Sequence, residues 1–533
     1  MVKFIFGIAL LMLTGCTEQS LKNQNSHGLI YCAEANPVSF NPQITTSGST
    51  IDLISNQLYN RLISIDANTG EFLPELAKSW KISKNRKKIT FELRQDVQFH
   101  HTDYFTPSRN FDADDVVFTF SRLFDVYNPY HFVSGGQYPY FKSIGLDRLI
   151  KSIIKESQYS VSFELFDTQS SFLSNMATDF SVILSAEYAK SLEVDEKLEN
   201  LDHFPIGTGP YKFKDYKRDI LIRYYQHEKY WQHPVALAQL VYDITPNSTT
   251  RIAKMLTHEC DVTPHPNSSQ LSILADRKDI QVQKETNLNM GYWAFNTQKA
   301  PFNNGLVRRA LAHAIDVNKI MQSVFLNNGK RLHSILPSTS WAYQAQVNMP
   351  DYNPELAKRL LRQAGIVDGF SMDLWAMPVA RIYNPNARKM AELIQNDLKK
   401  IDVTVHIVEY EWNTFIKKLE DHTHDSVLLG WSADTPDPDN FFSPLLSCAA
   451  ALSGKNSANW CDPEFDLLLS NALDTVNIDE RKEYYFQAQQ MVIQELPLLP
   501  IAQGMRFQAT SSNVKDIEIK PFGGVSLAKA RKE

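Results

Sequence analysis

The chain has 533 residues, 43% of them hydrophobic, and a formal net charge of -6. That is material for more than one hydrophobic core, and it excludes a small disulfide scaffold. No long basic block interrupts the mild acidity, which argues against nucleic acid as a partner because phosphate neutralisation needs clustered Lys and Arg.

From the N-terminus, Lys3 supplies one early positive charge, residues 4–13 are apolar, and Leu13-Thr14-Gly15-Cys16 sets small residues ahead of a cysteine. This is the pattern of a lipoprotein signal peptide. Residues 1–15 would be removed, the Cys16 thiol acylated, and 16–28 left as a polar tether. The apolar run falls well short of the roughly 20 residues a bilayer-spanning helix needs. Four cysteines remain, Cys32, Cys260, Cys448 and Cys461, and in an oxidising compartment an even set reads as two disulfides. Periodicity then predicts a short strand at 30–33, a helix over 52–62, an alternating half-buried strand at 88–94 and a helix over 113–124. Strands follow at 159–165, 220–225 and 240–244, with a helix at 249–256 and a turn cluster at Gly207-Thr208-Gly209-Pro210. Beyond Asn289 the pattern alternates strand and helix: strands at 290–296, 371–375, 403–408 and 427–431, helices at 307–314 and 390–400. Such alternation favours α/β domains with parallel or mixed sheets. The eight Trp and 22 Tyr suit binding surfaces as well as cores.

Several segments, in order along the chain, carry a resemblance that periodicity does not. Leu76-Ala77-Lys78-Ser79-Trp80, residues 89–99 and Ala113-Asp114-Asp115-Val116-Val117-Phe118 resemble the family 5 extracytoplasmic solute-binding proteins that feed peptides and nickel to ABC importers. Ser134-Gly135-Gly136, Pro205-Ile206-Gly207-Thr208-Gly209-Pro210-Tyr211, Trp375-Ala376-Met377-Pro378-Val379, Tyr383-Asn384-Pro385-Asn386-Ala387-Arg388, and Gly430-Trp431 with Asp437-Pro438-Asp439-Asn440-Phe441-Phe442 are similar to the dipeptide-binding branch. Gln270-Leu271-Ser272-Ile273-Leu274, Ser334-Ile335-Leu336-Pro337, Ser340-Trp341-Ala342-Tyr343 and Trp460-Cys461-Asp462-Pro463 are more similar to a Sap-type branch implicated in antimicrobial-peptide uptake. The resemblance spans almost everything after Leu29.

It implies an α/β fold of the type II periplasmic-binding-protein kind, with two lobes, an inserted extra domain and a ligand cleft at the hinge. Lobe I would comprise 29–59, 204–289 and 504–533, the inserted domain 60–203 and lobe III 290–503. Two hinge strands would join the lobes, which close on ligand. The family pattern pairs Cys32 with Cys260 and Cys448 with Cys461, so neither bridge crosses the hinge. The implied protein is a monomer without cofactor, not an enzyme, held at a membrane of a Gram-negative envelope only by its lipid, and serving permease subunits in the inner membrane.

Residue by residue, Arg381 matches the position that clamps a ligand carboxylate, a task suited to a guanidinium fork, and Asp434 matches the one that takes the ammonium. The backbone of Gly430, Trp431, Ser432 and Ala433 would pair with an extended ligand as an added strand. Tyr383 belongs to the same site, and Thr46-Ser47-Gly48 would close from the first lobe. Two other readings use the same cleft: a haem or metal-chelate scavenger, and a sink for cationic antimicrobial peptides, for which Asp434, Asp437 and Asp439 would supply acidity. His100-His101 and Asp421-His422-Thr423-His424-Asp425 lack any accompanying His-Glu-x-x-His or Cys-x-x-Cys pattern and are expected to be solvated, not metal ligands. The face carrying Arg308, Arg309 and His313 is likewise expected to be solvated. No nucleophile elbow or phosphate-binding loop is present in the sequence, so the energy for import would come from other subunits.

Overall fold

The computed structural model describes residues 28–45, 48–66, 70–267, 269–346, 349–433, 435–475, 477–520 and 524–533, with backbone alone at 49 and 413. The signal segment, Cys16 and most of the tether, together with Thr46, Ser47 and Asp434, lie outside the described residues.

The molecule is built around one strand. Leu498–Ser511, 14 residues and almost wholly buried, pairs antiparallel with Asn289–Phe295 along its first half (Ala294 with Leu498, Gly291 with Ala502) and with Ile280–Thr286 along its second (Thr286 with Met505, Ile280 with Ser511). Partners therefore change over between Ala502 and Met505, where the other chain passes from Thr286 to Asn289. These are the two connections between lobes. On one side the sheet continues from Asn289–Phe295 through Ser426–Ser432, Phe370–Ala376 and Val403–Val408, and on the other through Val262–Pro264, Gly28–Ala33, Gln239–Ile244, Leu221–Gln226 and Tyr211–Lys217. At the crossing, the Asn289 side chain donates to the Gly504 carbonyl and accepts from the Gly504 N–H, both at 2.8 Å, and Gln503 donates to the Asn287 carbonyl at 2.9 Å.

Two main cores flank this point. One, from Met290 to Ala502, is wholly within the large lobe. The other runs from Leu29 to Val262 and returns at Val514, so the inserted region shares lobe I's apolar interior. Trp431 packs against both. The inserted region carries its own antiparallel sheet (Ala77–Ile82, Lys88–Leu93, Ser160–Leu165, Ile150–Ser157) under helix Ala113–Phe124, whose start is fixed by a reciprocal cap between Asp112 and Asp115. From that helix the buried Arg122 forks onto Asp202 at 3.0 and 2.7 Å, tying the region to the segment that re-enters lobe I. Each disulfide stays within its lobe, Cys32–Cys260 in the first and Cys448–Cys461 in the second. A bridge of this kind is worth about 2–4 kcal/mol.

Three local expectations are corrected. The helix predicted over 52–62 is Gly48–Leu58: the Leu58 carbonyl accepts the N–H of Gly209 at 3.0 Å, and a side chain at Gly207 or Gly209 would overlap that helix end. The glycine turn thus stops the helix. His100 is not solvated but fully buried beneath that turn, its Nδ1 accepting from Gly207 N–H (3.2 Å) and its Nε2 facing the Gly209 carbonyl (3.0 Å). His424 is buried too, with Nε2 at 2.7 Å from the Ser457 carbonyl. Arg308 and Arg309 reach across to the last turn of helix Ile478–Glu495: buried Arg308 donates to the carbonyls of Glu495, Leu496 and Phe302, and Arg309 to those of Ile493 and Gln494. Cationic donors there meet both the unsatisfied carbonyls and the negative end of the helix dipole. His313 bonds the Asp351 carbonyl at 2.6 Å.

Burial pushes His100 well below the usual histidine range and His424 down to about 4. Unfolded histidine takes up its proton near pH 6.5. Between that pH and the depressed folded values the unfolded chain binds more protons, so this contribution to stability is complete above about pH 6.5 and is lost on acidification. His424→Gln, which keeps a donor toward Ser457, is expected to shrink the fall in melting temperature between pH 7 and 4.5, read by calorimetry.

Candidate functional site

The site forms where the loop between Ala376 and Ala387 lies down on the sheet beside the lobe crossing. Arg381 and Asn384 exchange both backbone hydrogen bonds at 3.0 Å, closing a tight turn over Ile382 and Tyr383. Asn386 then caps helix Ala387–Leu398 through Lys389 N–H at 2.9 Å. The turn needs a floor without side chains. Gly430, Gly291 and Gly504 stand on three adjacent strands, and a Cβ at any of them would overlap the turn: the Tyr383 ring over Gly430, the Tyr383 carbonyl over Gly291 and the Ile382 carbonyl over Gly504. Glycine within a strand marks this kind of close backbone approach.

Arg381 leaves the turn toward lobe I. Its Nη1 donates to Glu34 Oε1 at 2.7 Å, and its guanidinium lies 5.1 Å from the centre of the Trp412 ring. The two charged side chains are only 11% and 14% exposed. Glu34 immediately follows strand Gly28–Ala33, so this ion pair bridges the lobes. Behind it, Arg506 from the crossing strand pairs with Asp52 at 2.8 Å. Arg251 is buried, donating to the carbonyls of Thr245 at 2.9 Å and Pro246 at 2.6 Å, and burial lowers its pKa while the Glu34 charge pulls it back. Burial, then the nearby Arg506 charge, pushes His265 down to about 3. Burial raises the Tyr383 hydroxyl, while Arg381 pulls it back.

Strand Ser426–Ser432 pairs along its whole length with Asn289–Phe295, but on its other edge only Ser426, Val427 and Leu428 meet Phe370–Ala376. Beyond them, among the described residues, 429–432 have no strand partner on that edge. The Ala433 N–H is already given to the Leu288 carbonyl at 2.7 Å. Trp431 stacks parallel to Tyr140 of the inserted region at 6.2 Å, and Asn440 links the two by accepting from the indole (3.0 Å) and donating to the Tyr140 hydroxyl (2.8 Å).

Of the residues expected at the site, the structure gathers Arg381, Tyr383 and Gly430 into one arrangement, with Trp431, Ser432 and Ala433 continuing its strand. Gly48 starts the lobe I helix that carries Asp52. The acidity expected of Asp437 and Asp439 is corrected. Both oxygens of Asp437 accept from Arg481 at 2.9 Å, and Asp439 is buried against Ser443, its carboxyl pushed up to about 7 by burial and the adjacent Asp437 charge. Neither is a free cleft anion. Sequence reasoning missed Glu34, Trp412, Asp52, Arg506 and His265. Only the glycines inside otherwise apolar strands signalled a close approach.

Two α/β lobes exchanging chain through a pair of strands, with an interlobe site at that crossing, define a type II periplasmic binding protein. The chain belongs to the bacterial extracellular solute-binding proteins, family 5, whose model matches residues 71–453. It is 41% identical to the probable ABC transporter periplasmic-binding protein SapA of Escherichia coli (strain K12), covering 95% of this chain and 92% of that one. It is also 41% identical to the dipeptide-binding protein of the same strain, covering 97% and 96%. Among solved structures, the dipeptide binding protein from Pseudoalteromonas sp. SM9913 in complex with Met-Leu superposes with a TM-score of 0.93 at 66% identity, covering 95% of this chain and all of that one.

Gly504→Ala is expected to lift the 381–384 turn, costing about 1–3 kcal/mol of stability and displacing Arg381 from Glu34. Thermal melting and the crystal structure of the variant check both effects.

Proposed function

We propose that the chain is an extracytoplasmic receptor that captures short peptides in its interlobe cleft and delivers them to an ABC importer. The observation that carries this reading is the pairing of an unfilled strand edge at 429–432 with a part-buried guanidinium at Arg381, one turn of chain away. A peptide whose side chains vary offers constant features only in its backbone and its two charged ends. The open edge suits the backbone, and the Arg381 fork suits the carboxylate. Asp434, next along from Ala433, is proposed to take the ammonium, and Thr46-Ser47-Gly48 to close from lobe I. Family membership and the 66% match to a protein crystallised with Met-Leu support the same ligand class.

Holding both ends limits length. An extended chain advances at most about 3.3–3.6 Å per residue, so a cleft fitted to two residues must release one end to admit a third. Within this reading, ranges 29–59, 204–289 and 504–533 form one moving lobe, 60–203 rides on it, and 290–503 forms the other. Closure brings Glu34 to Arg381 and Tyr140 to Trp431. The protein acts as a monomer, tethered by lipid on Cys16, and docks on permease subunits of the inner membrane.

Isothermal titration with a dipeptide panel tests the assignment. Arg381→Ala and Asp434→Ala are each expected to weaken binding by about 2–5 kcal/mol, or at least some 30-fold. Wild-type affinity in both variants would remove them from the site. Native mass spectrometry of protein purified without refolding is expected to release ligands in the dipeptide mass range. A homogeneous haem adduct with its visible absorbance would instead favour the scavenger reading.

A further inference from the structure

A further set of contacts between the lobes lies outside the 381–384 turn and the 429–432 edge, at the end of helix Pro463–Asp474 in lobe III. Asp462 caps the start of this helix from within its own lobe, and at the far end the chain turns extended at Thr475. The carbonyls of a last helical turn have no partner inside the helix. Here the inserted region supplies partners. Ser170 donates its N–H to the Leu473 carbonyl and its hydroxyl to the Ala472 carbonyl at 3.4 Å. Arg86 donates from Nη1 to the Asp474 carbonyl at 2.9 Å, and the Thr168 hydroxyl donates to the Asp474 carboxylate at 3.3 Å.

Both sides of the contact are held in place. Arg86 stands at the tip of the hairpin joining Ala77–Ile82 to Lys88–Leu93, where its N–H bonds the Ser83 carbonyl at 2.8 Å and its φ is 58°. Glycine and asparagine favour that left-handed conformation, and an arginine held in it marks a side chain under tertiary demand. Its guanidinium meets the negative end of the helix dipole. On the receiving side, the Ala472 carbonyl also accepts from Arg481 Nε at 3.0 Å, and Arg481 Nη2 meets both Asp437 oxygens at 2.9 Å, so the helix end is fastened into lobe III. Burial and the facing Asp167 charge push the Asp474 carboxyl up, against the Thr168 bond and the Arg86 and Lys87 charges.

Phe163, Leu165 and Phe172, which flank Thr168 and Ser170, belong to the core shared with lobe I, whereas Phe465, Leu469 and Ala472 of the helix belong to the core of lobe III. When the lobes part, these bonds part with them. We propose that Arg86, Thr168 and Ser170 form a latch that holds the lobes closed and slows the release of every peptide alike. This rests on the peptide reading and the lobe division of the preceding section. The three are positioning residues, acting on the balance of open and closed forms and not on the ligand. A bond made only in the closed form lengthens the bound lifetime without distinguishing one peptide from another.

The test is stopped-flow release of Met-Leu, Ala-Ala and Ala-Phe from the full-length mature protein and from Arg86→Asn, Arg86→Lys and Thr168→Val. Asparagine suits the left-handed turn but is too short to reach Asp474. Arg86→Asn is therefore expected to melt no lower than wild type when ligand-free, yet to release each dipeptide roughly three- to tenfold faster, by one common factor. Thr168→Val is expected to speed release about twofold. Arg86→Lys, which keeps a cationic donor for a single carbonyl, is expected to fall between wild type and Arg86→Asn. Release from Arg86→Asn within about 1.5-fold of wild type would overturn the latch and leave peptide binding standing. So would factors that differ by more than about threefold among the dipeptides, the pattern of a group that touches ligand. A ligand-free Arg86→Asn protein melting well below wild type would assign Arg86 to folding and overturn the latch as well. Failure of the wild type to bind any of the three would instead overturn the peptide reading itself.

Discussion

Everything in this molecule is organised by the exchange of partners along one strand. Because Leu498–Ser511 is hydrogen-bonded to the large lobe at one end and to lobe I at the other, the lobes share a sheet and turn about the few residues where pairing changes hands. Those residues, Ala502 to Met505 opposite Thr286 to Asn289, lack a ladder on that edge, while on the other edge Ala502–Gly504 pair antiparallel with Gly329–Arg331. On the open edge the Asn289 amide bonds both backbone groups of Gly504, and the Gln503 amide donates to the Asn287 carbonyl.

The same few residues build the site. Gly504 and Gly291 lack side chains so that the 381–384 turn can rest on the strands that form the joint, which sets Arg381 within reach of the opposite lobe. The turn and the joint thus share a foundation. The Glu34 carboxylate keeps the part-buried Arg381 guanidinium from being an uncompensated charge. Trp412 stiffens the cation from another side, and Arg506 and Asp52 balance one another beneath it.

Much of the fold is legible in the sequence because local signals and tertiary demands agree. Helix Ala113–Phe124 begins and ends where predicted, since Asp112 caps it and Asp125 adopts an extended backbone. Strand Val403–Val408 also matches its predicted limits. Disagreement arises where a distant segment intervenes. Helix Gly48–Leu58 stops early because a glycine turn about 150 residues later takes its last carbonyl. Arg308 and Arg309 look like solvated charge on an amphipathic helix, and only the packing of a helix nearly two hundred residues downstream shows which carbonyls they serve. Within the site, family resemblance reaches Arg381 and Tyr383 through motif residues around them. Glu34 carries no local pattern announcing that its partner lies 347 positions away.

The two disulfides have a consequence for biogenesis. A chain translocated from its N-terminus presents Cys32 and Cys260 before Cys448 and Cys461, so the cysteines pair in the order in which they emerge. Among these four cysteines, pairing in that order generates both bridges without any need to reshuffle wrong ones. The split of lobe I across distant stretches of chain is thereby compatible with vectorial export, since its covalent staple can close before the second lobe has left the translocation channel.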